Sequence, residues 1–173
     1  MAHNIWVTSD THFNHSNILT FSDKLGKPVR NFSSVEGMNE TMIERWNSVV
    51  KPGDKVYHLG DVFFGDKDWF KRHWPRLHGR KRLIVGNHDD ISFLSSGGFF
   101  SKVYMWRVFR EFNLLLTHVP VHPSTLGENR AGEGAINVHG HIHQNPSPEG
   151  PYRCVCVEQT NYTPVHIEEL TKK

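Results

Sequence analysis

Short apolar runs, each broken by a polar residue, alternate with segments of helical spacing along the first half of the chain. Ile5-Trp6-Val7-Thr8 predicts a buried strand that ends at Ser9-Asp10. Asp10 to Lys27 reads as loop. Ser33-Ser34-Val35-Glu36 has the form of a capping box. Behind it, Val35, Met38, Met42, Trp46 and Val49 recur at helical spacing until Pro52-Gly53 stops them. Lys55 to Leu59 predicts a second strand, ending at Gly60-Asp61. Asp66 to Leu77 predicts a helix with Trp69, Phe70 and Trp74 on its apolar face, kinked or ended by Pro75. Arg82 to Val85 predicts a third strand, ending at Gly86-Asn87-His88-Asp89.

Beyond residue 100 the pattern is mostly strand. Val103 to Arg110 and Phe112 to Thr117 read as adjacent strands joined tightly near Glu111, with His118 at the end of the second. Ala135 to Val138 precedes His139-Gly140-His141-Ile142-His143, and Tyr152 to Val157 and Val165 to Ile167 close the set. The stretches from His122 to Gly134 and from Gln144 to Pro151 read as surface loops. The expectation is a layered α/β domain with a parallel portion from the first half and an antiparallel portion from the second. In such sheets ligands bind at the carboxyl ends of strands, where the polar residues of this chain fall.

Composition narrows the classes. At 37% hydrophobic and 22% charged residues, with no repeat or low-complexity run, the chain is globular rather than disordered. Its 173 residues are enough for one domain with its own core. A net charge of +2 with neutral histidines gives no basic stripe for a nucleic acid or a membrane surface. Arg80-Lys81-Arg82 reads as a solvated turn leading into a strand. Cys154 and Cys156, two apart on one strand face, read as reduced side chains, since such neighbours are poorly placed for a disulfide and too few for a thiolate zinc site. Met1-Ala2-His3-Asn4 carries no secretion signal and no apolar run approaches a membrane span, so the expected location is the cytoplasm, with no membrane partner. Trp and the Phe99-Phe100 pair suit a core or an association surface, and the oligomeric state stays open.

Thirteen histidines change the picture because of where they stand. In order, the strand ends supply Asp10 and His12, Asp61, Asn87 and His88, His118, then His141 and His143. These are oxygen and imidazole donors without thiolate, a set for Mn, Fe, Zn or Ni and numerous enough for two ions. Ligands two apart in Asp10-Thr11-His12 and His141-Ile142-His143 can point the same way from extended backbone. Gly60 and Gly140 allow sharp turns beside Asp61 and His141. Asn87 offers a neutral oxygen, which leaves His88 to face a substrate with Asp89 orienting its ring. Any one of these motifs alone is an ordinary turn or loop; the ordered set is not.

The set resembles the calcineurin-like metallophosphoesterase superfamily, in its small, uncapped bacterial and phage-type form. The signature blocks D-x-H, G-D, G-N-H-D/E, a lone H and G-H-x-H are met by Asp10-Thr11-His12, Gly60-Asp61, Gly86-Asn87-His88-Asp89, His118 and Gly140-His141-Ile142-His143. The resemblance implies an αββα sandwich of two mixed sheets flanked by helices, in a single domain over residues 1–173. It implies two divalent ions, manganese foremost. Asp10, His12 and His143 would hold one ion, and Asn87, His118 and His141 the other. Asp61 would bridge both, and His88 would contact the phosphate.

The implied reaction is hydrolysis of a phosphate ester, by a water activated between the two ions and attacking phosphorus in line. His88, oriented by Asp89, is the candidate general acid. His15, Asn14, Arg30 and His122 are candidates for substrate contact. His58 reads as a core histidine, and His139 as a supporter of a neighbouring ligand. His3, His73, His78 and His166 read as structural or surface residues. Without a cap domain the site is open, which favours a phosphodiester. The alternatives are a phosphomonoesterase acting on a nucleotide or phosphoprotein, and a catalytically silent metal-binding scaffold. Nucleic acid enters only as a possible substrate.

Overall fold

The computed structural model describes residues 4–127 and 134–171. The readings of Met1-Ala2-His3, and of 128–133 within the loop from His122 to Gly134, lie outside the described residues. Among the described residues nine strands form two sheets. The first takes the order β4 (Lys102–Tyr104), β3 (Arg80–Ile84), β2 (Lys55–His58), β1 (Ile5–Thr8), β9 (Val165–His166). Strands β1 to β4 run parallel and β9 runs antiparallel beside β1. The second takes the order β5 (Arg107–Phe109), β6 (Leu114–Leu116), β7 (Ile136–His139), β8 (Tyr152–Cys154). The α/β fold of two mixed sheets with helices is the expected one. The second sheet departs from the expected antiparallel portion: β6, β7 and β8 are parallel, and only β5 opposes its neighbour. The loops after β6 and β7 carry the chain back so that each next strand starts from the same end. That places His118 and His141 on one side.

Helix α1 (Val35–Val49) is capped by Ser34, whose Oγ accepts from Gly37 N at 3.0 Å. The expected box is only half formed. Glu36 lies in the first turn, where its charge suits the helix N-terminus, and does not close back on the cap. Helix α2 (Lys67–His73) runs into a 3-10 turn at Trp74–Arg76 that contains Pro75. Helix α3 (Ile91–Ser96), capped by Asp90, was not predicted; six residues are too few to show a periodic stripe. The predicted strand from Val103 to Arg110 is two strands in different sheets, β4 and β5, and the chain crosses between them at Met105-Trp106.

Alternation along the first sheet builds two cores. Val56 and Leu83 face the helices, where Met38, Met42, Trp46, Phe70, Trp74 and Leu94 cover them. Val7, Tyr57 and Ile84 face the second sheet and pack on Phe109, Leu114, Leu116, Val138 and Val155. All three α-helices bury side chains in the first of these cores. Phe100 is buried against Trp74, and Phe99 packs on Phe70 and Phe93, so this pair belongs to the core. No described helix is long and apolar enough to cross a membrane.

His58 is the core histidine expected. It is fully buried, its Nδ1 accepts from Gly60 N, and its Nε2 meets Thr11 Oγ1 at 2.9 Å. Because Thr11 Oγ1 donates to Val62 O, the His58 Nε2–H is the donor in that pair. Burial pushes its pKa down to about 3. An unfolded imidazole takes up its proton near pH 6.5, so this contribution to stability is complete above that pH. It is lost progressively as the pH falls toward 3. Urea unfolding of metal-free protein should show a midpoint that drops from pH 7 to pH 5, less steeply in His58→Gln. A midpoint equally steep in both would remove His58 from this account.

Candidate metal centre

The parallel strands bring the predicted chemistry to one end of both sheets. The loops after β1 and β2 stay paired beyond the strands: Asp10 N donates to Gly60 O and His12 N to Asp61 O, each at 3.0 Å. The backbone in these loops is not extended as expected. Asp10, His12, Asn14, Asp61, His141 and His143 all have φ between +45° and +71°. Left-handed conformations cost side chains about 1–3 kcal/mol each and persist only where the surroundings impose them. Here they alternate with ordinary residues, and so turn both members of each i, i+2 pair toward the same point.

Glycines let the loops close on one another. Gly60 has φ +96°, and a Cβ there would fall on the Gly86 backbone. Gly140 serves by space rather than by its turn: a Cβ there would occupy the positions of Ser9 Oγ and Asp10 Oδ2. Across that contact Asp10 Oδ2 accepts from Ser9 Oγ at 2.5 Å and His141 N at 2.8 Å, which joins the two sheets.

Two groups of candidate ligands result. In the first, Asp10 Oδ1 lies 3.8 Å from His12 Nε2 and 4.0 Å from His143 Nε2. In the second, His118 Nε2 lies 2.8 Å from Asn87 Oδ1 and 3.3 Å from His141 Nδ1, while His118 Nδ1 meets Leu59 O at 2.6 Å. Asp61 stands between the groups. Its Oδ2 is 3.7 Å from His12 Nε2 and 3.5 Å from His118 Nε2, and its Oδ1 accepts from His88 N.

The donors fit divalent ions. Asp10 Oδ1 and both ring nitrogens of His12 are buried without a hydrogen-bond partner, an arrangement that costs free energy unless something binds there. Burial lowers the pKa of His12 and of His141 and keeps both rings in the neutral form a metal requires. Burial alone would raise the Asp10 carboxyl, but His12, His118, Ser9 and His143 hold it below the usual carboxylate range.

The other predicted residues divide. His88 is exposed at the rim, its ring 6.1 Å from His12 and 5.2 Å from Phe64, with no hydrogen bond to the ring among the described residues. Asp89 does not orient it. The Asp89 carboxylate accepts from Val62 N at 2.9 Å, Gly86 N at 2.8 Å and Asp61 N at 3.1 Å, so it clamps the ends of β2 and β3 together. His15 stacks on Phe64 at 4.2 Å beside His12, and burial pushes its pKa down to about 4. Asn14 N donates to Asn39 Oδ1 next to it.

Arg30 is not available to a substrate. It is 1% exposed, and its guanidinium donates to Asp10 O, to Thr11 O and to Glu158 Oε1. His122 does not join the cluster; it caps the turn Pro123–Thr125 by accepting from Ser124 N. His139 bonds Gly140 O and Ser147 Oγ rather than a candidate ligand. Cys154 and Cys156 are free thiols and belong to neither group.

Glu158 escaped the reading of the sequence. Its Oε1 accepts from His143 Nδ1 at 2.9 Å and from Arg30, while its side chain is 3% exposed. Burial would lower the His143 pKa, but Glu158 reverses this and raises it. The carboxylate fixes the tautomer that turns His143 Nε2 toward Asp10. The signal was present: a lone acid directly follows the apolar run Val155-Cys156-Val157, as the other site residues follow theirs.

Comparison with known proteins gives a consistent picture. A family model described as calcineurin-like phosphoesterase matches residues 3–163. The Uncharacterized protein MJ1445 of Methanocaldococcus jannaschii is 34% identical, with 97% of this chain and 89% of that protein covered. The Gene 66 protein of Mycobacterium phage L5 is 28% identical over 81% of this chain and 77% of its own length. Among solved structures, a protein of unknown function from Aquifex aeolicus, AQ665, superposes with a TM-score of 0.73 at 29% identity, covering 98% of both chains.

Removing the carboxylate behind His143 should weaken one ion and spare the other. Glu158→Ala should lose about 10- to 100-fold in affinity for one of two Mn²⁺ equivalents in a calorimetric titration, with Glu158→Gln intermediate. Two unchanged equivalents in Glu158→Ala would reduce Glu158 to a partner of Arg30.

Proposed function

The chain belongs to the calcineurin-like phosphoesterase family, and on that premise we propose that it is a phosphodiesterase working with two divalent ions. The observation that carries this reading is Asp61 Oδ2, held within 3.7 Å of an imidazole from each candidate group. A single carboxylate oxygen so placed suits a bridge between two ions. Donors of oxygen and imidazole without thiolate suit manganese, iron, zinc or nickel, and the family resemblance puts manganese first.

Bound divalent ions supply Lewis acidity, a water of lowered pKa and neutralisation of charge on the phosphoryl oxygens. The remaining work falls to side chains. Asp10 and Asp61 place negative charge where it attracts cations, and the rings of His12, His118 and His141 offer nitrogen lone pairs. Glu158 orients His143. His88, at the rim with a free ring, donates a proton to the leaving oxygen as the P–O bond breaks. His15, stacked beside His12, would meet a phosphoryl oxygen. Asn87, His88 and His141 are all exposed, which leaves room for a second ester substituent and favours the diester over the monoester.

Bis(p-nitrophenyl) phosphate should be hydrolysed faster than p-nitrophenyl phosphate with Mn²⁺, and chelator should abolish both activities. Reaction of the monoester alone would replace the diesterase with a phosphomonoesterase. His88→Ala should lower turnover by about 10²- to 10⁴-fold while two equivalents of Mn²⁺ still bind. Full activity in His88→Ala would sink the role given to that ring. A protein that binds metal but turns over neither ester would point to the scaffold reading.

A further inference from the structure

Seven large hydrophobic side chains are exposed among the described residues, and five of them line one groove: Ile91, Met105, Trp106, Val108 and Val119. Trp106 is 62% exposed and Val108 47%, values expected of charged residues rather than of an indole and a valine. The groove encloses about 1540 Å³ and runs along the outer face of β5 and β6, where Leu115 forms part of its floor. Scattered single hydrophobics on a surface need no explanation, but a contiguous patch marks a binding site.

The groove has a polar end. Asn87 and His118, two residues of the second candidate metal group, form part of its wall together with Gly86 and Thr117. An occupant that fills the apolar part therefore presents its adjoining end to the site of reaction. We propose that this groove holds the apolar substituent of an amphiphilic phosphate ester, an alkyl chain or aryl group, whose phosphate lies at Asn87 and His118. This rests on the phosphoesterase reading and adds the class of substrate to it. Asp89, Arg110, Asn113 and Thr125 also line the groove, but hydroxyls of a phosphorylated sugar set against Trp106, Val108, Leu115 and Val119 would be unpaired there, at a cost for each buried polar group. The volume exceeds the ~300–1,000 Å³ of ordinary ligand pockets, which suits a long chain better than a single ring.

Binding and turnover separate this proposal from the reading it rests on. Straight-chain alkylphosphonates from ethyl to octyl, which lack a cleavable ester bond, are titrated calorimetrically into the full chain loaded with Mn²⁺. The same series is run on Trp106→Ser/Val108→Ser, whose exposed positions should leave the thermal unfolding temperature and the Mn²⁺ stoichiometry intact. Affinity should rise by up to about fourfold per methylene in the original chain, and the slope should flatten in the double variant. Affinity independent of chain length, equal slopes in the two proteins, or no binding at any length would overturn the proposal. So would self-association that is lost in the double variant and accompanies a flat slope, which would make the groove an interface between copies. Hydrolysis of bis(p-nitrophenyl) phosphate is scored separately. Turnover with a flat slope removes the groove and keeps the enzyme, whereas a steep slope without turnover keeps the groove and removes the reaction.

Discussion

The Asp10 carboxylate is fully buried, and a buried charge must be compensated. One of its oxygens is satisfied by protein, through Ser9 Oγ, His141 N and the Cys156 thiol. These contacts draw the loop after β7 onto the loop after β1 and set the distance between the two sheets at their functional end. The other oxygen has no partner and faces two imidazoles. One carboxylate thus fastens the scaffold and opens the site. Gly140 is what permits it, because any larger residue would take the space of that carboxylate.

Around Asp10 the charges are arranged in a chain. Arg30 donates to the backbone carbonyls of Asp10 and Thr11, and through the same guanidinium it compensates Glu158. Glu158 in turn holds His143. The backbone of one ligand pair and the side chain of a ligand 133 residues away therefore share a single buried cation. Asp89 plays the matching part for the second group, where it gathers three backbone N–H groups that position Asp61 and the Gly86 turn. Ligands on left-handed backbone can be held this way because Asp10, His12, Asp61 and His141 are each tied through the backbone N–H to a residue just beyond another strand.

Local pattern revealed most of the strands, the first two helices and the residue types of the site. Each depends on spacing within a few residues: a short apolar run in β1, a stripe of three and four in α1, a polar residue just after an apolar run. The errors arise where the decisive partner is far along the chain. Val103 to Arg110 is continuous in pattern, yet its halves pair with Ile84 on one side and Leu116 on the other. Arg30 read as a candidate for substrate contact because nothing near it in sequence shows the buried carboxylate it meets at residue 158. Asp89 stands beside His88 in the chain but points back into the backbone, a direction that spacing does not encode.

By itself the sequence determined which atoms are available, carboxylate and amide oxygens and imidazoles at the ends of apolar strands, since strand breaks and donor chemistry are local properties. Their grouping in space, which resemblance implies but local pattern does not show, is decided by the tertiary structure. Asp10 and His12 meet His143, Asp61 and His118 meet His141, and Trp106 and Val108 open beside Asn87. Those groupings follow from parallel strands returning to one end of two packed sheets and from glycines that let the loops touch. Both are relations between distant segments, fixed only when the two cores pack.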